Sequence, residues 1–311
     1  MSPVDTPGWE EALHEQAVRA LHDVALQAAV LQSPGDLPLT LLSHNRAVAD
    51  GQTAYLLGQE LVLLVSAAQF PDASAIEVQK MANMRACLGA PAGRVLLDVQ
   101  GHGRALGRSF LIVARCRPLP RGRVARRVAS WRVRGDLLQW LRELAALAQA
   151  PDAAAQQEFL ASLAALSAMA LLPDALRHAA QRQMERLQAG QAQARHMPMH
   201  GDLWAGNVMH RPDGRLAIID WGGSVVRGYG VYDLVRAADS LGLSRRRLAR
   251  ELAWHAQALG DAQQGAQLHL LAALGYYARH LGEFPAQQFA VLASRCCARL
   301  EAALGRPLSS C

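Results

Sequence analysis

The chain has 311 residues, 51% of them hydrophobic and 19% charged, with a formal net charge of +6, a length and composition that fit two cored lobes of a globular protein. No run approaches the ~18 consecutive apolar residues of a membrane span, and the acidic start "MSPVDTPGWEEALHEQ" lacks the apolar core of a secretory signal, so a cytoplasmic location is expected. Cys87, Cys116, Cys296, Cys297 and Cys311 are odd in number and none forms a CxxC pair, which argues against a disulfide framework or a cysteine-type zinc site.

Apolar residues recur every three to five positions over 8–32 (Trp9, Leu13, Val18, Leu21, Val24, Leu26), which predicts a helix. Five strand-like runs follow: "LPLTLLS" (37–43), "TAYLLG" (53–58), "ELVLLVSA" (60–67), "GRVLLDV" (93–99) and "SFLIVAR" (109–115). Between the third and fourth, "SAIEVQKMANMRACLG" sets Ile76, Met81, Met84 and Leu88 on or near one helix face, with Gly89 as a stop. Three strands, a helix and two strands make an α+β lobe ending near residue 115. Alanine-rich helical patterns then run from about 135 to 195 and again from 231 to 305, with no internal repeat.

The stretch between those helical regions is different. "NVMH" (207–210) and "RLAIID" (215–220) are strand-like and joined by "RPDG", where proline presets φ and glycine accepts a positive φ, so a hairpin is predicted. Pairing its strands would carry Asp220 towards Asn207, and the loop holding Asp202 leads into that asparagine. Two carboxylates and an amide oxygen are hard ligands suited to Mg²⁺ shared with phosphate oxygens. Protein kinases use an H-R-D-x-x-x-x-N loop followed by D-F-G; here His200-Gly201-Asp202 precedes Asn207 at the same spacing, and Asp220-Trp221-Gly222 follows.

"MHGDLWAGNVM" with "IIDWGG" resembles the aminoglycoside phosphotransferase and choline kinase group, and the Trp204 variant is similar to fructosamine kinases. "YGVYDLVRAAD" looks like the group's following segment, with Asp233 as a buried structural carboxylate. The resemblance runs in order along nearly the whole chain, but only 197–239 is specific. It implies a two-lobed protein-kinase-like α+β fold, with a nucleotide-binding lobe at 1–115 and a helical lobe with the catalytic loop and metal site at 116–311. It further implies an ATP-dependent kinase for a small-molecule hydroxyl acceptor of sugar or amino-alcohol type. Asp202 would be the base, Asn207 and Asp220 would hold Mg²⁺, and His200 would brace the loop.

The resemblance breaks at one place. The third strand should carry a lysine paired with a helix glutamate, for which Glu77 is well placed, yet the matching strand position is Leu64 and Lys80 is the only lysine in the chain. Three readings stay open: Arg46, in the loop expected over the phosphates, substitutes; Lys80 reaches inward instead of lying solvated one turn after Glu77; or the chain is a nucleotide-binding or regulatory pseudokinase. Arginine replaces lysine imperfectly, because its planar fork makes different contacts.

Arg115 to Arg134 contains eight arginines and no acid. This belt is a solvated basic face, or it meets an anionic acceptor or an anionic surface such as lipid headgroups. Few aromatics and no binding module argue against nucleic acid. His196, His200 and His210 lack a closing ligand set for a metal, and Cys296-Cys297 reads as helix core.

Overall fold

A computed structural model describes residues 8–22, 37–44, 52–120, 123–262, 264–282 and 284–308. The chain forms two compact units. The first comprises Met1–Arg85, Gly93–Pro118 and Met209–Gly222; the second comprises Ala86–Ala92, Leu119–Val208 and Gly223–Cys311.

The first unit opens with helix α1 (Trp9–His22); the rest of the predicted periodic stretch lies outside the described residues. Strands β1 (Leu39–His44), β2 (Thr53–Leu57), β3 (Leu61–Val65), β4 (Val99–Ala105) and β5 (Arg108–Ala114) form an antiparallel sheet of order β1-β2-β3-β5-β4. Side chains alternate across a strand, so Leu61, Leu63 and Val65 join Tyr55, Leu57, Phe110 and Ile112 on one face. Trp9, Leu13 and Ala17 of α1, at helical spacing, cover that face. Each such buried leucine contributes about 2 kcal/mol. The alternation sets Leu64 on the other face, half-buried, opposite Ala54 and Leu111 in the ladder.

Helix α2 (Ala73–Gly93) follows β3, and its start is tied to the sheet by a serine network. Ser66 Oγ accepts from Ser74 N–H at 2.8 Å and lies 2.8 Å from Ser109 Oγ, which donates to Pro71 O at 2.8 Å. Gly89 does break the helix, with φ 61°, although one more helical turn follows it. The predicted strand at 93–99 is not one. Val95, Leu96 and Leu97 are buried without joining the sheet. Their carbonyls are used by the hairpin segment instead: Val95 O accepts Ile218 N–H at 3.0 Å and Leu96 O accepts Arg211 Nη2 at 2.6 Å. The fourth strand is "VQGHGRA", whose two glycines hide it from a periodicity search.

The predicted hairpin is present as β8 (Val208–His210) and β9 (Leu216–Ile218), with the two-residue β6 (Arg117–Pro118) on its other edge. Arg211 N–H bonds Arg215 O at 2.9 Å, and Gly214 takes the positive φ, 83°, that the turn required.

In the second unit are α3 (Arg123–Ala146), α4 (Ala153–Ala168), α5 (Asp174–Gln188), α6 (Tyr232–Ser240), α7 (Arg245–Ala258), α8 (Gly265–Arg279) and α9 (Ala286–Leu304), with strands β7 (Met197–Met199) and β10 (Val225–Gly228) paired antiparallel. Residues 265–275 of α8 are all buried, as expected of a central helix packed against α4, α5, α7 and α9. Among the described residues no helix is long and apolar enough to cross a membrane. Cys87, Cys116, Cys296 and Cys297 are free thiols.

Candidate active site

In the second unit the chain leaves β7 at Met199 and enters a loop whose backbone is held at nearly every residue. Asp233, in the first turn of α6 and 2% exposed, accepts His200 N–H at 2.6 Å and Gly201 N–H at 3.0 Å. Burial pushes its carboxyl up to about 6, against the lowering effect of those two donors. Tyr277 Oη donates to Gly201 O at 3.2 Å. Gly201 has φ 90°, and a Cβ there would meet Gly223 O and Tyr277 Oη, each at 2.4 Å, so only glycine fits. His200 Nδ1 accepts Asp202 N–H at 3.2 Å; the histidine braces the turn from within. Ser240 Oγ accepts Ala205 N–H at 3.0 Å from the far end of α6.

This frame aims Asp202 and Asn207 at each other. Asn207 Nδ2 donates to Asp202 O at 2.9 Å and to Asp202 Oδ2 at 3.2 Å. With the amide nitrogen so engaged, Asn207 Oδ1 carries no protein donor among the described residues. The other carboxylate oxygen, Asp202 Oδ1, takes Arg236 Nη2 at 2.5 Å. Arg236 sits one turn past Asp233 on α6 and its side chain is largely buried, while Asp202 is two-fifths exposed. Sequence reading did not find this arginine, because no local spacing ties it to Asp202, 34 residues away. Beside it a pocket of about 220 Å³ is lined by Trp204, Arg236, Asp239, Ser240, Arg295 and Cys296, with Arg295 paired to Asp239 at 2.7 Å.

The first unit carries the other predicted residues. Asp220, two residues past β9, lies in the left-handed region, φ 66°, a conformation rare outside glycine and asparagine or aspartate. The next residue, Trp221, donates its backbone N–H to Glu77 Oε1 at 3.1 Å. Glu77 is 3% exposed, and its second oxygen takes Gln52 Nε2 at 3.2 Å. Burial raises the Glu77 carboxyl above the usual range, against both donors. Among the described residues, Glu77 makes these two hydrogen bonds and no ion pair. Gln52 is a second residue that sequence reading missed, and no spacing rule points to it. Arg46 lies outside the described residues.

A sheet with one tethered helix, a helical unit and an H-G-D-x-x-x-x-N loop set before Asp-Trp-Gly define a kinase-like phosphotransferase fold of α+β class. The family model described as the phosphotransferase enzyme family matches residues 44–271, and the chain belongs to that family. Solved structures share the fold at low identity. Aminoglycoside 2'-phosphotransferase-IIIa, in its GDP complex, is 14% identical at a TM-score of 0.56, covering 94% of this chain and 99% of its own. A thermostable mutant of aminoglycoside phosphotransferase APH(4)-Ia, with ADP and hygromycin B, is 16% identical at 0.54, covering 90% and 99%. Choline kinase LicA from Streptococcus pneumoniae is 11% identical at 0.52, covering 94% and 99%. No curated protein matches the chain significantly.

Proposed function

We propose that the protein is an ATP-dependent small-molecule kinase that phosphorylates a hydroxyl of a sugar or amino-alcohol-like acceptor. The observation that carries this reading is the Asp202 carboxylate, clamped by Arg236 and Asn207 in a loop pinned through Asp233. A polar loop with no chemistry to perform needs no such restraint. Phosphoryl transfer depends on positioning and charge neutralisation more than on covalent help. Asp202 orients the acceptor hydroxyl and takes its proton. The acceptor oxygen bonds to the γ-phosphorus, the bond from that phosphorus to the β–γ bridging oxygen breaks, and ADP leaves with that oxygen.

The donor set suits Mg²⁺. Asn207 Oδ1 and the Asp220 carboxylate are hard oxygens, and the Asn207 amide is oriented by its bonds to Asp202. These two residues would hold the ion, which supplies neutralising charge to the nucleotide phosphates when bound. Glu77 acts on the nucleotide side through Trp221, whose N–H it fixes one residue past Asp220. Nucleotides bound to two of the structural neighbours support ATP or a related nucleotide here. The Trp204 pocket, with two guanidiniums and one carboxylate, suits a polar acceptor better than a polycation.

Leu64, and a Glu77 that pairs with no cation among the described residues, favour a second reading, a nucleotide-binding pseudokinase. One pair of measurements decides. ATP should raise thermal stability more with Mg²⁺ than with EDTA, following binding linkage, and Asp220→Ala should abolish the difference. Turnover against a panel of sugars and amino alcohols then separates enzyme from pseudokinase; a Mg²⁺-dependent shift without transfer to any acceptor selects the latter. An unchanged shift in Asp220→Ala removes Asp220 from the metal site in either case.

A further inference from the structure

The arginine belt gains meaning from the helix that carries most of it. The later part of α3 is an ordinary core helix: Val133, Leu137, Leu138, Trp140, Leu141 and Leu144 are buried. Its first half does the reverse. Val128 is 49% exposed and Trp131 is 73% exposed, the most exposed large apolar side chain among the described residues. At about 100° per residue, positions 128 and 131 fall roughly opposite the buried face that Val133 begins, and position 124, also valine, shares their side. In the sequence, arginines at 121, 123, 126, 127 and 132 surround this strip, and positions 127 and 132 lie on either side of it in the helical register. No acid stands in the first turn. Positive charge there opposes the helix dipole, which favours anions at an N-terminus, so the belt is held against a local preference. A solvated face would not need valine and tryptophan at its centre.

We propose that the first half of α3 is a docking surface for an anionic lipid bilayer. Tryptophan and valine would enter the headgroup boundary while arginines reach the lipid phosphates, the pattern of an interfacial basic amphipathic helix. Charge complementarity selects an anionic partner, and the aliphatic residues select a bilayer over a nucleic acid, whose backbone offers valine nothing to bury against. This goes beyond the kinase reading and stands whether or not the chain turns over.

The test is co-flotation of the full chain with vesicles of phosphatidylcholine alone or containing about 30% phosphatidylglycerol. The anionic vesicles should carry the protein at low salt and release it as salt rises, while neutral vesicles leave it behind. The double variant Arg127→Glu/Arg132→Glu should bind at least tenfold more weakly. Trp131→Ser should weaken binding several-fold and remove the blue shift of tryptophan fluorescence that anionic vesicles induce in the wild type. Val128→Ser, milder, should lie between, and since Val128 and Trp131 are exposed, the melting temperatures of these two variants should hold. Equal flotation with both vesicle types, no flotation with either, or unaltered binding by the charge-reversed chain overturns the proposal. So does tight binding of a duplex or single-stranded oligonucleotide that Trp131→Ser leaves unchanged, together with absent flotation, since that outcome assigns the belt to nucleic acid.

Discussion

The loop from His200 to Asn207 and the Glu77 region belong to one predicted machinery, yet they have kept it to different degrees. In the loop the Asp202 carboxylate and most of the backbone are held by partners inside the second unit, and the H-G-D-x-x-x-x-N pattern is intact. Around Glu77, in the first unit, the strand position that the pattern gives a lysine is Leu64, and among the described residues the buried glutamate receives an amide and a backbone N–H. A carboxylate facing neutral donors is harder to ionise than one facing an ammonium, and burial raises the Glu77 carboxyl accordingly.

The strongest way to break that contrast is at Asp202. Asp202→Asn preserves shape and removes the proposed base, so turnover should fall by about 10²–10⁴ while nucleotide affinity stays within a few-fold. Equal turnover in mutant and wild type would mean the loop is no more specialised than the Glu77 region. Next in size is Asp233→Ala, which leaves the His200 and Gly201 N–H groups buried and unpaired and should destabilise the second unit by about 3 kcal/mol. A chemical denaturation midpoint shifted by less than a third of that would show the loop is held elsewhere.

The nucleotide side should respond more gently. If position 64 faces the phosphates, Leu64→Lys should restore the pattern's ion pair with Glu77 and tighten ATP about tenfold, which requires only about 1.4 kcal/mol. If Arg46 already fills the role, the same mutant should bind worse, and Arg46→Ala should weaken the wild type more than the Leu64→Lys background. Isothermal titration of the four chains reads both, and no change in any would show that position 64 does not address the nucleotide.

The smallest effect is on pH. The second unit buries His255 and His269, and burial depresses both, His269 to about 3. A histidine whose folded pKa lies below its unfolded value contributes stability that is lost as pH falls below about 6.5. Each such group costs up to about 1.4 kcal/mol per pH unit. Asp233, raised to about 6, acts with the opposite sign between about 4 and 6 and softens the slope there. Melting temperature should therefore drop between pH 7.5 and 6, and His269→Gln should flatten that drop. A profile indifferent to the substitution would rule out His269 as its source.

Much of this was legible in the chain. The glycine-turn hairpin, strands β1, β2, β3 and β5 and helix α2 follow from spacing, and the burial of Asp233 from the motif's resemblance. What escaped has a common cause. "GRVLLDV" has the composition of a strand but is claimed by the hairpin segment through Val95 and Leu96, and the true strand carries glycines. Arg236 reaches Asp202 across 34 residues and Gln52 reaches Glu77 across 25. Such pairs exist only once helices and strands have packed, and no local pattern encodes them.

Asp220 holds a left-handed backbone that most L-residues avoid at about 1–2 kcal/mol. Evolution could have relieved that tension with a glycine, and a protein engineer still can. Asp220→Gly should fold as well as or better than the parent while losing its carboxylate, and Asp220→Asn should keep the turn at little penalty. Asp220→Gly is therefore the strain-free control to run beside Asp220→Ala, which keeps the left-handed main chain. On the proposed role of its carboxylate, position 220 is where robustness and reactivity pull in opposite directions, and a thermostability campaign blind to that role would be drawn to erase it.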